Sequence, residues 1–138
     1  MRFLAIDLGD RRTGLAVGDD ELCLAHPVKV LEIPIGTRLV EAIANTIREH
    51  AIEGLVMGLP LNMDGTKGKR AELTLKFGKS VEDATGITIH FQDERLTSAA
   101  AEEQLSGSGK THKQKKKMRD ALAATEILKD FLETNQSS

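Results

Sequence analysis

The chain opens on an apolar run, residues 3–8, interrupted only by Asp7. A run of this kind is how a strand buried on both faces reads, so the fold must place this segment inside a sheet. Gly9 and Asp10-Arg11-Arg12 follow, then a second apolar run, residues 13–17, closed by Gly18-Asp19. Two strands joined by a short polar loop predict a hairpin. Asp7 then stands near the C-terminal end of a buried strand. An unpaired carboxylate there costs on the order of several kcal/mol, so a metal, a cation or backbone donors must compensate it. An acid that ends a strand and binds the neighbouring loop would also account for it.

The elements that follow predict an α/β fold. Residues 22–33 read as a third strand, and Pro27 within it suits an edge or a bulge. After a turn at 34–36, Thr37 is the expected N-cap of a helix through His50, with Leu39, Val40, Ile43, Ala44 and Ile47 as its apolar stripe. Residues 54–58, Gly-Leu-Val-Met-Gly, read as a buried parallel strand. Strand, helix and buried strand in succession make a crossover connection. Residues 59–66 lie at the C-terminal edge of that strand, where open α/β sheets build their sites. Thr66 is the expected cap of a second helix over 67–84, with Ala71, Leu73, Leu75, Phe77 and Val81 apolar and its mixed charges a solvated face. Gly86 ends it. Ile87, Ile89 and Phe91 alternate with Thr88, His90 and Gln92, a half-buried strand that leads into Asp93-Glu94-Arg95. Thr97 or Ser98 caps a helix through Leu105, a Ser-Gly loop spans 106–109, and a last helix runs from Gln114 or Lys117 to Leu132. With neither repeat nor linker, residues 1–138 are expected to form a single domain.

In the last helix, Ala124, Ile127, Leu128 and Phe131 fall on the side of Asp120, so this carboxylate heads an apolar stripe and faces the sheet. A first-turn acid stabilising a helix N-terminus would be the plainer explanation. Three acidic positions now ask for one reason: Asp7, Asp93-Glu94 and Asp120. Adjacent parallel strands end on the same side, and a helix over that edge can bring the third acid. Carboxylates gathered closely raise one another's pKa unless a cation neutralises them. Hard divalent ions with oxygen ligands do this, and Mg²⁺ or Mn²⁺ is the natural choice. Two such ions about 3.5–4 Å apart stabilise the attacking and leaving oxygens of phosphoryl displacement.

Phosphate partners lie beside these acids. Arg11 and Arg12 occupy the hairpin loop, and Arg95 follows Glu94. Residues 110–119 carry six Lys or Arg, Lys115, Lys116, Lys117 and Arg119 among them, and lead directly into Asp120. Net charge is only −2, so nucleic-acid binding must come from such a local patch. Aromatic residues are 3% of the chain, which argues against base stacking on an aromatic platform. Cys23 is the single cysteine, excluding an internal disulfide and a Cys-based zinc site, and is expected to be a reduced core thiol. There is no signal-peptide pattern and no apolar run of membrane-spanning length, so a cytoplasmic protein with no membrane partner is expected.

Four blocks, Asp7-Leu-Gly-Asp-Arg-Arg-Thr-Gly-Leu-Ala-Val-Gly-Asp19, Gly58-Leu-Pro-Leu-Asn-Met-Asp-Gly-Thr66, Asp93-Glu-Arg-Leu-Thr-Ser98 and Asp120-Ala-Leu-Ala-Ala-Thr-Glu-Ile-Leu128, closely resemble the YqgF (RuvX) family. These are Holliday-junction-resolvase-like proteins, and the resemblance covers essentially the whole chain in order. It implies a ribonuclease H-like α/β fold: a five-stranded mixed sheet, first three strands antiparallel, with helices on both faces. It further implies two-metal phosphodiester hydrolysis and maturation of the 5′ end of pre-16S ribosomal RNA, with ribosomal precursor particles as partners. On the matching positions Asp7 is the strand-one metal ligand and Asp120 the helix ligand. Glu94 is the implied third acid, with Asp93 in reserve. In a regular strand Asp93 keeps step with Ile87, Ile89 and Phe91, and Glu94 falls on the opposite face. Ribonucleases H usually carry an acid at the end of the fourth strand, where this chain has Gly58-Leu59-Pro60.

Three readings compete with pre-rRNA processing. A resolvase of branched DNA would use the same chemistry and want a homodimer rather than a monomer, to cut two strands symmetrically. A non-catalytic RNA- or ribosome-binding factor would keep the fold as a scaffold. A sugar-kinase or actin-like ATPase shares an Asp-x-Gly hairpin but needs two such domains, and this chain has room for one.

Overall fold

A computed structural model of the protein describes residues 1–93 and 112–136, with the side chains of the last helix given over 119–134. The two apolar runs at the start form β1 (Arg2–Asp7) and β2 (Thr13–Asp19), paired antiparallel with Asp7 opposite Gly14. β3 (Leu24–Leu31) pairs antiparallel with β2 and is shorter than its expected span. The register shifts between Leu15 and Ala16, and Pro27 lies opposite Ala16 beside that shift. A residue with no N–H to donate is at home on such an edge strand.

The chain crosses over through α1 (Thr37–Glu49) to β4 (Gly54–Leu59), then through α2 (Lys69–Thr85) to β5 (Ile89–Asp93). β4 is parallel to both β1 and β5, and the sheet order is β3-β2-β1-β4-β5. The final helix is α3 (His112–Gln136). This is the expected five-stranded mixed sheet with its first three strands antiparallel.

Strand alternation divides the core in two. Leu4, Ile6, Leu15, Val17, Leu55, Met57 and Ile89 face α1 and α2 and pack on Leu39, Ile43, Ile47, Phe77 and Val81. Phe3, Ala5, Ala16 and Val56 face α3 and pack on Ala124, Ile127, Leu128, Phe131 and Leu132. Each large aliphatic so buried contributes about 1.5–3 kcal/mol relative to exposure. β1 is therefore covered on both sides, as its apolar run requires.

Several local expectations change. The N-cap of α1 is Gly36 and that of α2 is Gly68, so neither Thr37 nor Thr66 caps a helix. Thr66 is instead engaged in the loop before α2, where its amide and hydroxyl both donate to Asp64 Oδ1, at 3.0 and 2.6 Å. Leu73 is exposed and Leu75 only half-buried, because α2 turns Ala71, Thr74, Phe77, Gly78 and Val81 to the sheet. Cys23 is half-buried at the turn into β3 with φ 53°, not within the core. The helix expected through Leu105 and the Ser-Gly loop lie outside the described residues.

Candidate active site

Asp7 closes β1 on the α3 face, in step with Phe3 and Ala5, and is half-buried. Its cross-strand neighbour Gly14 is where α3 touches the sheet. A Cβ built on Gly14 would overlap the Asp120 carbonyl and stand 2.8 Å from the Ala121 nitrogen. No L-residue with a side chain fits there without moving the helix. Gly14 thus serves close backbone approach, and the backbone of Asp120 is seated against the residue paired with Asp7. Ala121, Ala123 and Ala124, all buried, keep this part of the helix slim. Asp120 is itself half-buried at the head of the apolar stripe that continues through Ala124, Ile127, Leu128 and Phe131. It lies more than two turns inside α3, so N-terminal stabilisation does not explain it.

The two carboxylates therefore share one end of one face. Glu94 and Arg95 lie outside the described residues. Asp93 can be placed: it pairs with Leu59 and keeps step with Ile89 and Phe91, which belong to the α1/α2 face. The alternate positions of β5 belong to α3, as the contact between His90 and Phe131 shows, ring centroids 5.2 Å apart. Asp93 is thus on the wrong face to join Asp7 and Asp120. Among the described residues no group of three or more Asp, Glu, His or Cys forms a metal site.

Glycines and basic residues lie on the segments that flank these two acids. Continuing the β1–β4 register brings Asp7 level with Gly58, which pairs with Gln92, so glycines stand on both sides of Asp7. Beyond β4 the loop over 60–68 is braced by its own polar groups. Asn62 Nδ2 donates to Thr66 Oγ1 at 3.0 Å, and the Asn62 amide donates to the Thr66 carbonyl at 2.9 Å. Arg11 is exposed and Arg12 half-buried in the β1–β2 loop, and Arg119 is exposed on α3. Lys115, Lys116 and Lys117 are helical, one turn before Asp120, so part of the basic segment belongs to α3 rather than to a loop. Sequence reasoning passed over two participants, Gly14 and Arg70. Arg70, on α2, donates from Nη2 to the Leu8 carbonyl at 2.8 Å and pairs through Nη1 with Asp10.

The chain is similar to known proteins along nearly its whole length. The family model described as "RuvX: Holliday junction resolvase" matches residues 1–134. A protein of Pediococcus pentosaceus is 37% identical over 135 residues, covering 96% of this chain and 92% of that one. One of Caldanaerobacter subterraneus is 34% identical over 139 residues, covering all of both. Each carries the name "Putative pre-16S rRNA nuclease". Among solved structures, Thermus thermophilus RuvC in complex with a Holliday junction superposes with a TM-score of 0.62 at 14% identity, over 100% of this chain and 97% of that one. At that identity the likeness speaks to fold, which is that of the ribonuclease H-like resolvases. On the match along nearly its full length, the chain belongs to the RuvX family.

Proposed function

We propose that the protein is a divalent-metal-dependent nuclease that hydrolyses phosphodiester bonds in structured nucleic acid, with the 5′ end of pre-16S rRNA as its substrate. The observation that carries this reading is the seating of Asp120 on Gly14, directly across from Asp7. Two half-buried carboxylates at one sheet edge are hard oxygen donors with no sulfur or imidazole in the set, which suits Mg²⁺ or Mn²⁺. Such ions, when bound, activate water and neutralise charge at the phosphate. Of the two acids, Asp93 keeps step with the α1/α2 face, away from Asp7, and Glu94 is therefore the proposed third acid. Arg11, Arg12, Arg95, Lys115, Lys116, Lys117 and Arg119 would hold backbone phosphates, positioning substrate without reading sequence.

Two names carried by relatives bear on substrate: the curated relatives are named for pre-16S rRNA and the family for Holliday junctions. The test is cleavage of an end-labelled 16S rRNA precursor fragment and a four-way DNA junction with Mg²⁺ or Mn²⁺. Asp7→Asn and Asp120→Asn proteins are purified in parallel. Changes in the outer shell of metal sites alone cost about 10–100-fold, so loss of either ligand is expected to reduce cutting more than 100-fold. Preference for the junction would move the assignment to resolution. Binding without cutting, or equal cutting by wild type and variants, would leave a nucleic-acid-binding factor.

A further inference from the structure

The β1–β2 loop is held from outside the hairpin. Pairing of β1 with β2 ends at Asp7 and Gly14, and Leu8 supplies the first carbonyl beyond that ladder. Arg70, in the first turn of α2, reaches it with Nη2 at 2.8 Å and meets the Asp10 carboxylate with Nη1. One guanidinium thus clasps two points of a single loop, on either side of Gly9. The loop folds back tightly there: a Cβ on Gly9 would overlap the Arg12 carbonyl. Arg11 and Arg12 stand on the returning limb.

The Asp10 carboxylate is 81% exposed, and an ion pair in water would by itself contribute little. The bond to the Leu8 carbonyl differs, because Leu8 is 8% exposed and the Arg70 side chain only 35%. A planar fork that reaches two acceptors at once loses little freedom per bond made. Left unclasped, each loop residue would cost about 1–2 kcal/mol to order when substrate arrives. Ordering the loop in advance removes that cost from binding.

We infer that Arg70 is a positioning residue for substrate binding, presetting the 8–12 loop so that Arg11 and Arg12 receive a backbone phosphate beside Asp7. The inference rests on the nuclease reading for its substrate, but not for the clasp. Arg70 acts through the loop; both its Nη atoms are already engaged with Leu8 and Asp10.

Two measurements on the full chain test it. In the first, hydrogen exchange is followed in Arg70→Ala and Asp10→Asn. Amides of residues 9–13 are expected to exchange about tenfold faster in Arg70→Ala, with β4 amides unchanged. Asp10→Asn keeps the Leu8 bond and should show a smaller rise even if Arg70→Ala folds poorly. Unchanged loop exchange in Asp10→Asn and in a folded Arg70→Ala overturns the clasp. In the second, binding of the labelled precursor fragment is titrated in EDTA, where no cutting occurs. Arg70→Ala and Arg12→Ala should each weaken binding about fivefold, and the double variant should lose clearly less than the product of the two, because Arg70 still presets Arg11 when Arg12 is gone. Fold-losses that multiply would show Arg70 acting independently and overturn the positioning role. If wild type binds no nucleic acid, the nuclease reading fails, and loop exchange alone decides the clasp.

Discussion

The two faces of the sheet are packed by different means at the end that holds Asp7 and Asp120. Against α1 and α2 the strands present large aliphatics, and Leu4, Ile6, Leu15, Leu39, Ile43, Leu55 and Met57 are all fully buried there. Against α3 they present Ala5, Gly14 and Ala16, answered by Ala121, Ala123 and Ala124 near the site end of the helix. Large side chains interdigitate and hold two backbones about 10 Å apart. Small residues bring backbone onto backbone, and the helix has one seating. Both faces supply stability, since Val56, Ile127, Leu128 and Leu132 are also fully buried, while the small-residue end of the α3 face seats Asp120 on Gly14, across from Asp7.

That contrast breaks most readily with a pair of substitutions. Ile43→Ala empties a fully buried site on the α1/α2 face and should cost about 2–5 kcal/mol in urea denaturation. Cleavage per folded molecule should stay near wild type, because α3 is untouched. Gly14→Ala should also cost stability, about 1–3 kcal/mol, because its Cβ would overlap the backbone of Asp120 and Ala121. It must, however, push the Asp120 backbone away, and a misplacement of about 1 Å can cost 10²-fold in rate. Stability measured alongside single-turnover cleavage separates the two effects. If both variants lost activity in proportion to stability, the division of labour between the faces would be wrong.

The same contrast explains what was legible in the sequence. Asp7 stands out as the one polar residue of an apolar run, and Asp120 as an acid at the head of an apolar stripe. Both are departures from a local pattern, and both were readable. Glu94 against Asp93 was not settled by pattern, because alternation along β5 tells which residues share a face but not which helix covers it. Gly14 reads as an ordinary hairpin glycine, since its cause lies more than a hundred residues away, at Asp120. Arg70 reads as part of a solvated face because its two acceptors, a backbone carbonyl and an exposed acid, leave no periodic trace. Thr66 looks like a helix cap for a related reason: the residues that favour N-caps also favour the turn it makes with Asn62 and Asp64.

A smaller effect sharpens the comparison from within the large-residue face. Thr13, in step with Leu15 and Val17, is fully buried, and its Oγ1 has no hydrogen-bond partner among the described residues. A buried hydroxyl left unsatisfied carries its desolvation cost with no return bond. Thr13→Val, which keeps the branched shape, is expected to stabilise by about 1 kcal/mol. Its cleavage rate should match wild type, because the residue points away from Asp7. A destabilised variant would mean that the hydroxyl is satisfied after all.

The smallest effect concerns α3 beyond the site. Asp130 lies ten residues past Asp120, and its carboxyl is pushed above the usual carboxylate range by burial, then by Glu126 and Glu133. A carboxyl whose folded pKa is raised opposes folding in its ionised form. The penalty is absent where both states are protonated, grows as pH rises through the carboxylate range, and is complete at neutral pH. Asp130→Asn should therefore raise the melting temperature at pH 7, by less than Thr13→Val does, because the half-exposed group is screened by water. The gain should fade as pH falls to about 4 and should shrink in high salt, where repulsion from Glu126 and Glu133 is damped. Cleavage should be unaffected, since the small-residue contact that seats Asp120 is two helical turns away and more. A change in cleavage rate would show that the far end of α3 also sets the site, and that the helix positions Asp120 as a rigid whole rather than through its contact at Gly14.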